Sequence, residues 1–209
     1  PPTSTLFPYT TLFRSGEFQR QVILQSNTRG AAWALRKPVE VVSADHQNKA
    51  DIAASKAREW IDTQGLTMLF GGTNSGTALA SAKVAAEKKR VYINNGAASS
   101  ALTNDQCTPY TVHYAYDTVA LAKGTGSAIV DSGGKSWYFL TADYAFGHAL
   151  EADTSTVVKG KGGTVVGTVR HPLNASDFSS FLLQAQNSKA QILGLANAGG
   201  DTINAIKSA

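Results

Sequence analysis

Several absences narrow the chemistry open to this 209-residue sequence. Cys107 is the only cysteine, so no disulfide closes within the chain and no Cys-x-x-Cys metal or redox motif exists. No apolar run approaches the roughly 20 residues that a membrane-spanning helix needs. Charged residues make up only 16% and the net charge is +4. The one tight basic run, Lys88-Lys89-Arg90, falls between an expected helix and an expected strand, where a solvated helix C-terminus explains it better than a nucleic-acid patch. Four histidines (His46, His113, His148, His171) are scattered with no i, i+4 pair, which argues against a metal site. The P-loop and the Gly-x-Ser-x-Gly elbow are missing. The glycine turn Gly71-Gly72-Thr73-Asn74-Ser75-Gly76 also misses the dinucleotide spacing, and Asn94 rather than an acid ends the strand after it. No nucleophile stands beside a base. These gaps favour binding over catalysis and imply no cofactor.

What is present is an ordinary globular balance, with 43% apolar residues and enough length for a core. Residues 66–103 organise it. They read as a strand (66–70), the glycine turn (71–76), an amphipathic helix (77–88), a second strand (91–94) and a second loop of small residues (95–100). Two parallel strands joined by a helix, each opening into a Gly/Ser/Asn/Ala loop, form a pocket where open α/β sheets bind ligands.

The same alternation continues on both sides. A buried strand is expected at 39–44 and a helix at 49–63, with Ile52, Ala53, Ala57, Trp60 and Ile61 on one face. Further strands fall at 110–115, 136–141, 164–169 and 190–196. Helices follow at 117–132 (capped by Asp117, weakened by Gly124 and Gly126), from 145 to about 159, from a Ser176-Asp177 cap, and from Asp201 onward. Short connections between alternating strands and helices indicate a parallel, doubly wound sheet.

The N-terminus does not fit this pattern. Residues 1–15 have no period, and the run from Thr5 to Ser15 resembles the translation of a DNA-sequencing library adapter. A short strand is conceivable at 19–25, but residues 16–36 lead nowhere that α/β logic requires. The expectation is a fragment truncated at both ends, with 1–37 a non-native or unreliable segment.

Five segments carry a family resemblance: Val-Glu-Val-Val-Ser-Ala-Asp-His-Gln (39–47), Phe-Gly-Gly-Thr-Asn-Ser-Gly-Thr-Ala-Leu-Ala (70–80), Ile-Asn-Asn-Gly-Ala-Ala-Ser-Ser-Ala-Leu-Thr (93–103), Asp-Tyr-Ala-Phe-Gly-His-Ala-Leu (143–150), and the strand–helix unit 194–209. Together they resemble a solute-binding protein of a bacterial ABC transporter, of the branched-chain amino-acid (Leu/Ile/Val-binding) type. The resemblance implies the type I periplasmic binding protein fold: two doubly wound parallel α/β lobes that close on a ligand by a hinge motion. The first lobe would span residues 38–114 and the second 115–209, both incomplete.

The resemblance also implies a site. Asn74 and Ser75 would meet a ligand carboxylate, and Gly96, Ala97 and Ala98 would line the second loop. Relatives that bind leucine-like ligands usually have Thr or Ser where Ala98 stands, so Ser99 would substitute. Tyr144 and Phe146 would form an aromatic wall, with Asn197 at the end of the last strand. Plainer roles stand beside these: Ser75 as a helix cap, Gly71 and Gly72 as turn residues, and Tyr144 and Phe146 as interlobe core. Tyr116 would line either the cleft or the hinge. Cys107 would pair, in an oxidising compartment, with a cysteine outside the fragment.

The implied function is periplasmic capture of a small polar solute, an amino acid or amide, by a monomer that delivers it to a membrane permease without contacting nucleic acid. A ligand-sensing regulatory domain on the same fold is the alternative. A Rossmann-type oxidoreductase is third and would need the missing phosphate fingerprint.

Overall fold

The computed structural model describes residues 41–209. Expectations for positions 1–40, including the adapter-like run and the strand at 19–25, lie outside the described residues. From residue 50 onward the helices and strands alternate. They are α1 (Ala50–Gln64), β1 (Met68–Gly71), α2 (Ser75–Glu87), β2 (Val91–Asn94), a 3-10 turn (Ser100–Leu102) and β3 (Thr111–His113). Then come α3 (Thr118–Leu121), a π turn (Ala122–Gly126), α4 (Ser127–Asp131), β4 (Ser136–Ala142), α5 (Ala145–Gly160), β5 (Thr164–His171), α6 (Ser179–Asn187), β6 (Ile192–Ala196) and α7 (Gly200–Ser208). Two parallel three-stranded sheets result, ordered β1-β2-β3 and β5-β4-β6.

Local chemistry explains most of the boundaries. In α1, Ala53, Ala57 and Ile61 recur every four residues and are buried, and Gly65 ends the helix with φ 65° while its N–H donates to Trp60 O. Helix α2 begins two residues before the expected Thr77, because the Asn74 side chain caps it by accepting from Thr77 N at 3.1 Å. Asp117 caps α3 as expected, accepting from Ala120 N. The helix weakened on paper by Gly124 and Gly126 stays continuous but loosens into the π turn across those residues. The Ser176-Asp177 cap shifts by one residue. Phe178 is the cap position, fully buried, and Asp177 Oδ1 accepts from Ser179 N.

One expectation fails. Residues 41–44 form no strand, and 39–40 lie outside the described residues. A strand exists only through a partner's hydrogen bonds. Among the described residues β1 pairs with β2 alone, and no strand pairs with residues 41–44.

Residues aligned across a parallel ladder share a face. Leu69 and Tyr92 point into the cluster of α1 and α2 with Ala57, Ile61, Ala78 and Ala82. Met68, Phe70, Val91 and Val112 take the opposite face and are exposed. The second sheet is covered on both faces. Trp137, Phe139 and Val158 pack on one side, and Leu140, Phe178 and Ala205 on the other. An apolar cavity of about 350 Å³ lies between the π turn and β6, lined by Leu121, Ile129, Trp137, Phe139 and Ile192. None of the residues of the two small-residue loops lines it, and its lining offers a polar solute little.

The two sheets are tied together where the chain crosses between them. Thr118, the first residue of α3, donates its N–H to Ala98 O (2.8 Å) and accepts at Oγ1 from Ser100 N (3.0 Å). Its hydroxyl and that of Ser100 both donate to Asp153 Oδ2 on α5, at 2.5 and 2.9 Å. A carboxylate receiving two hydroxyls is a strong arrangement. Asp153→Ala is expected to cost about 1–3 kcal/mol in urea unfolding, and an unchanged midpoint would show that the junction carries nothing.

Tyr92 gives a second test. Its hydroxyl donates to Gly71 O (3.0 Å) and accepts from Asn94 Nδ2 (3.1 Å), and burial pushes its phenol up to about 12. Between pH 10 and 12 the unfolded phenol loses its proton while the folded one keeps it. This stability is therefore complete below pH 10 and is lost as pH rises toward 12. Native protein should lose about 2–3 kcal/mol more than Tyr92→Phe over that window. Parallel declines in urea titrations of the two proteins would contradict this.

Candidate ligand-binding site

The loops at the carboxyl ends of β1 and β2 meet. Ser99 N donates to Ser75 Oγ at 3.2 Å, so one buried hydroxyl staples the second loop to the first turn of α2. Gly72 makes the close approach possible. Its φ is +92°, and a Cβ there would overlap the Tyr92 hydroxyl. Asn94 Nδ2 donates to Gly72 O (3.2 Å), and Asn94 Oδ1 accepts from Gly96 N (3.4 Å). Asn94 and Tyr92 thus buttress both loops from below.

Of the residues singled out from sequence, Asn74, Ser75, Gly96, Ala97, Ala98 and Ser99 come together here. Ser75 and Ser99 are 1% exposed, and each oxygen has a structural partner: Ser75 Oγ takes Ser99 N, and Ser99 Oγ takes Ala101 N. Asn74 is 7% exposed. Its Oδ1 is committed to the helix cap, while its Nδ2 has no partner among the described residues. The loop carbonyls are held from outside, Ala97 O by His113 Nε2 at 2.7 Å and Ala98 O by Thr118 N. The Ala97 contact makes His113 Nε2 the donor.

Tyr144 and Phe146 form a separate pair at the start of α5, with ring centroids 5.9 Å apart. Gly147 lets this helix seat on the end of β4, since a Cβ would overlap Ala142 O. The Tyr144 phenol is pushed up to about 12, first by burial and then by the nearby Asp201 carboxylate and Tyr116 phenol. Tyr144 therefore stays a neutral donor, at the meeting of the crossover, α5 and α7.

Asn197 lies at the end of β6 as expected, but its side chain belongs to a different network. Nδ2 donates to His171 Nε2 (3.2 Å) and Oδ1 accepts from Thr202 Oγ1 (2.7 Å). His171 Nδ1 donates to Pro172 O, and the ring packs edge-on to Phe178 with centroids 4.8 Å apart. His148 pairs with Asp143 at 2.8 Å near the surface.

Sequence reasoning passed over His113, Ser100, Thr118 and Asp153. Only Thr118 carried a signal, as the neighbour of the capping Asp117; the others pair across 16 to 53 residues and show no period. Among the described residues no group of three His, Cys, Asp or Glu side chains is placed to hold a metal ion, and no helix is long and apolar enough to cross a membrane. Cys107 is exposed.

The chain matches the periplasmic binding protein family over residues 27–209. Leu/Ile/Val-binding protein homolog 6 of Brucella abortus (strain 2308) is 30% identical over 156 residues, which is 73% of this chain and 39% of that protein. A periplasmic binding protein from Burkholderia mallei is 69% identical with a TM-score of 0.89, covering 93% of this chain and 52% of the other. A branched-chain amino-acid ABC transporter periplasmic ligand-binding protein from Burkholderia xenovorans LB400 is 35% identical with a TM-score of 0.67, covering 90% and 49%. The chain thus spans 39% of the Brucella relative and about half the length of the two solved ones. With two parallel sheets, loops converging at the strand ends and this family match over most of its length, the chain belongs to the periplasmic binding protein family and has the type I periplasmic binding fold.

Proposed function

We propose that this chain is part of the extracytoplasmic solute-binding component of an ABC importer. It captures a small carboxylate-bearing solute, an amino acid or an aromatic acid, between two lobes and passes it to a membrane permease. The observation that carries the reading is the stapled pair of loops. The first-turn N–H groups of Ser75 and Gly76 have no intrahelical acceptor, and those of Ala97 and Ala98 donate to no described residue. Together with the positive end of the α2 dipole they suit an anionic head group.

The remaining site residues take supporting roles. Tyr144 and Phe146 offer an aromatic wall for the solute's apolar part, and the Ser100–Thr118–Asp153 junction holds the second loop in register with that wall. Gly96 lets its loop pass close over Gly72. Asn197 acts through its neighbours, setting His171 and the start of α7 behind the wall.

In the intact protein, a thermal-shift panel of amino acids, amides and aromatic acids is expected to contain a carboxylate that raises Tm by several degrees. A ligand at 100 times its Kd adds about 2.7 kcal/mol. A panel without any shift would overturn the proposal.

A further inference from the structure

Strand β2 ends at Asn94, and the chain bends into the second loop through Asn95 and Gly96, the only Asn-Gly pair in the sequence. The packing of the loops demands glycine at 96. A Cβ there would stand 3.1 Å from Gly72 O and 3.4 Å from Thr73 Cα and Cγ2, so a side chain would push the two loops apart. Asn95 is exposed at the bend, whereas Asn74 and Asn94 are buried in the scaffold of the loops. The Gly96 N–H is lightly held. Its acceptor, Asn94 Oδ1, is 3.4 Å away, beyond the usual range of an N–H···O bond. An exposed asparagine therefore precedes a backbone nitrogen that no Cβ screens and only a long hydrogen bond restrains.

From this juxtaposition we propose that Asn95 is a site of spontaneous modification, at which the second loop deamidates through its own Gly96. Gly96 N gives its proton to hydroxide and attacks Asn95 Cγ. The Cγ–Nδ2 bond breaks and, with a proton from water, ammonia leaves a cyclic imide. Water then opens the imide. Cleavage at Cγ yields aspartate, and cleavage at the main-chain carbonyl yields isoaspartate, whose backbone runs through the side chain and is longer by one methylene. Amide and water become acid and ammonia, and no other reactant is needed. This chemistry is independent of the solute that the cleft takes. Both products add a negative charge to a loop that carries none between Asn95 and Ser100. The isoaspartyl form also lengthens the chain between β2 and Ser99, whose N–H reaches Ser75 Oγ at 3.2 Å while Gly96 lies against Gly72. Contacts set this closely have no slack for an added methylene, so the staple between the loops loosens.

Peptide mapping of the folded, intact protein after incubation in mildly alkaline buffer tests this. The peptide spanning Asn95 is expected to gain the mass difference between an amide and an acid and to split into aspartyl and isoaspartyl forms. It should do so ahead of the peptide that carries exposed Asn174, whose following residue is Ala175. The conversion should quicken as pH rises, since the attacking nitrogen is the deprotonated one. Asn95→Gln, which would have to close a larger ring, should stay unmodified and keep its Tm through the incubation, while the Tm of the incubated native protein falls. An Asn95 peptide that stays intact in the folded protein, while the same peptide converts in urea, would overturn the proposed site. Conversion of Asn174 before Asn95 would overturn it as well. Conversion of Asn95 with an unchanged Tm would uphold the site and overturn the loosening of the staple.

Discussion

The junction at Asp153 is the constraint on which the arrangement of the site depends. One carboxylate oxygen on α5 receives hydroxyls from Ser100, in the second loop of the first sheet, and from Thr118, at the head of the crossover helix. The same Thr118 clamps that loop through its backbone N–H and its Oγ1. Helix α5 also begins with the Tyr144–Phe146 pair. The Tyr144–Phe146 pair and the stapled loops are therefore referred to one another through a helix and two side chains. A charged acceptor suits this task because its hydrogen bonds are roughly twice as strong as neutral ones.

The loops show how a surface acquires a sign without a charged residue. None of the site residues from Asn74 to Ser99 bears a formal charge. The polarity comes from which backbone groups the surrounding structure leaves over. His113, Thr118, Tyr92 and Asn94 each donate to a loop carbonyl, and every such donation leaves the loops more donor-rich. The buttressing side chains thus hold the loops in place and set their electrostatic character. The exposed face of β1, β2 and β3, carrying Met68, Phe70, Val91 and Val112, has no comparable partner among the described residues, though parallel sheets are normally covered on both faces.

Much of this was legible in the sequence because it was written in local pattern. The spacing of Ala53, Ala57 and Ile61 marked α1, the run 91–94 coincides with β2, and Asp117 marked the start of its helix. Asn74 read as a ligand residue, and the structure shows it as the cap that begins α2 two residues early. Gly124 and Gly126 announced a weak helix, though not that the weakness would take the form of a π turn. Residues 41–44 read as a strand because β-branched composition resembles one, yet pairing is a property of two segments and only one was in view.

The sequence by itself determined the fold class, the positions of the small-residue loops at strand ends, and the absence of recognisable catalytic motifs. These follow from hydrophobic period, turn chemistry and residue inventory, which act over a few neighbours. Tertiary structure alone decided which polar groups remain available. The sequence reading put both Ser75 and Asn197 at the site. Folding commits the Ser75 hydroxyl to Ser99 N, 24 residues away, and the Asn197 amide to His171, 26 residues away. A hydrogen-bonding group can be called available only after its three-dimensional neighbours are known. For this chain those neighbours engage the carbonyls of Gly71, Gly72, Ala97 and Ala98.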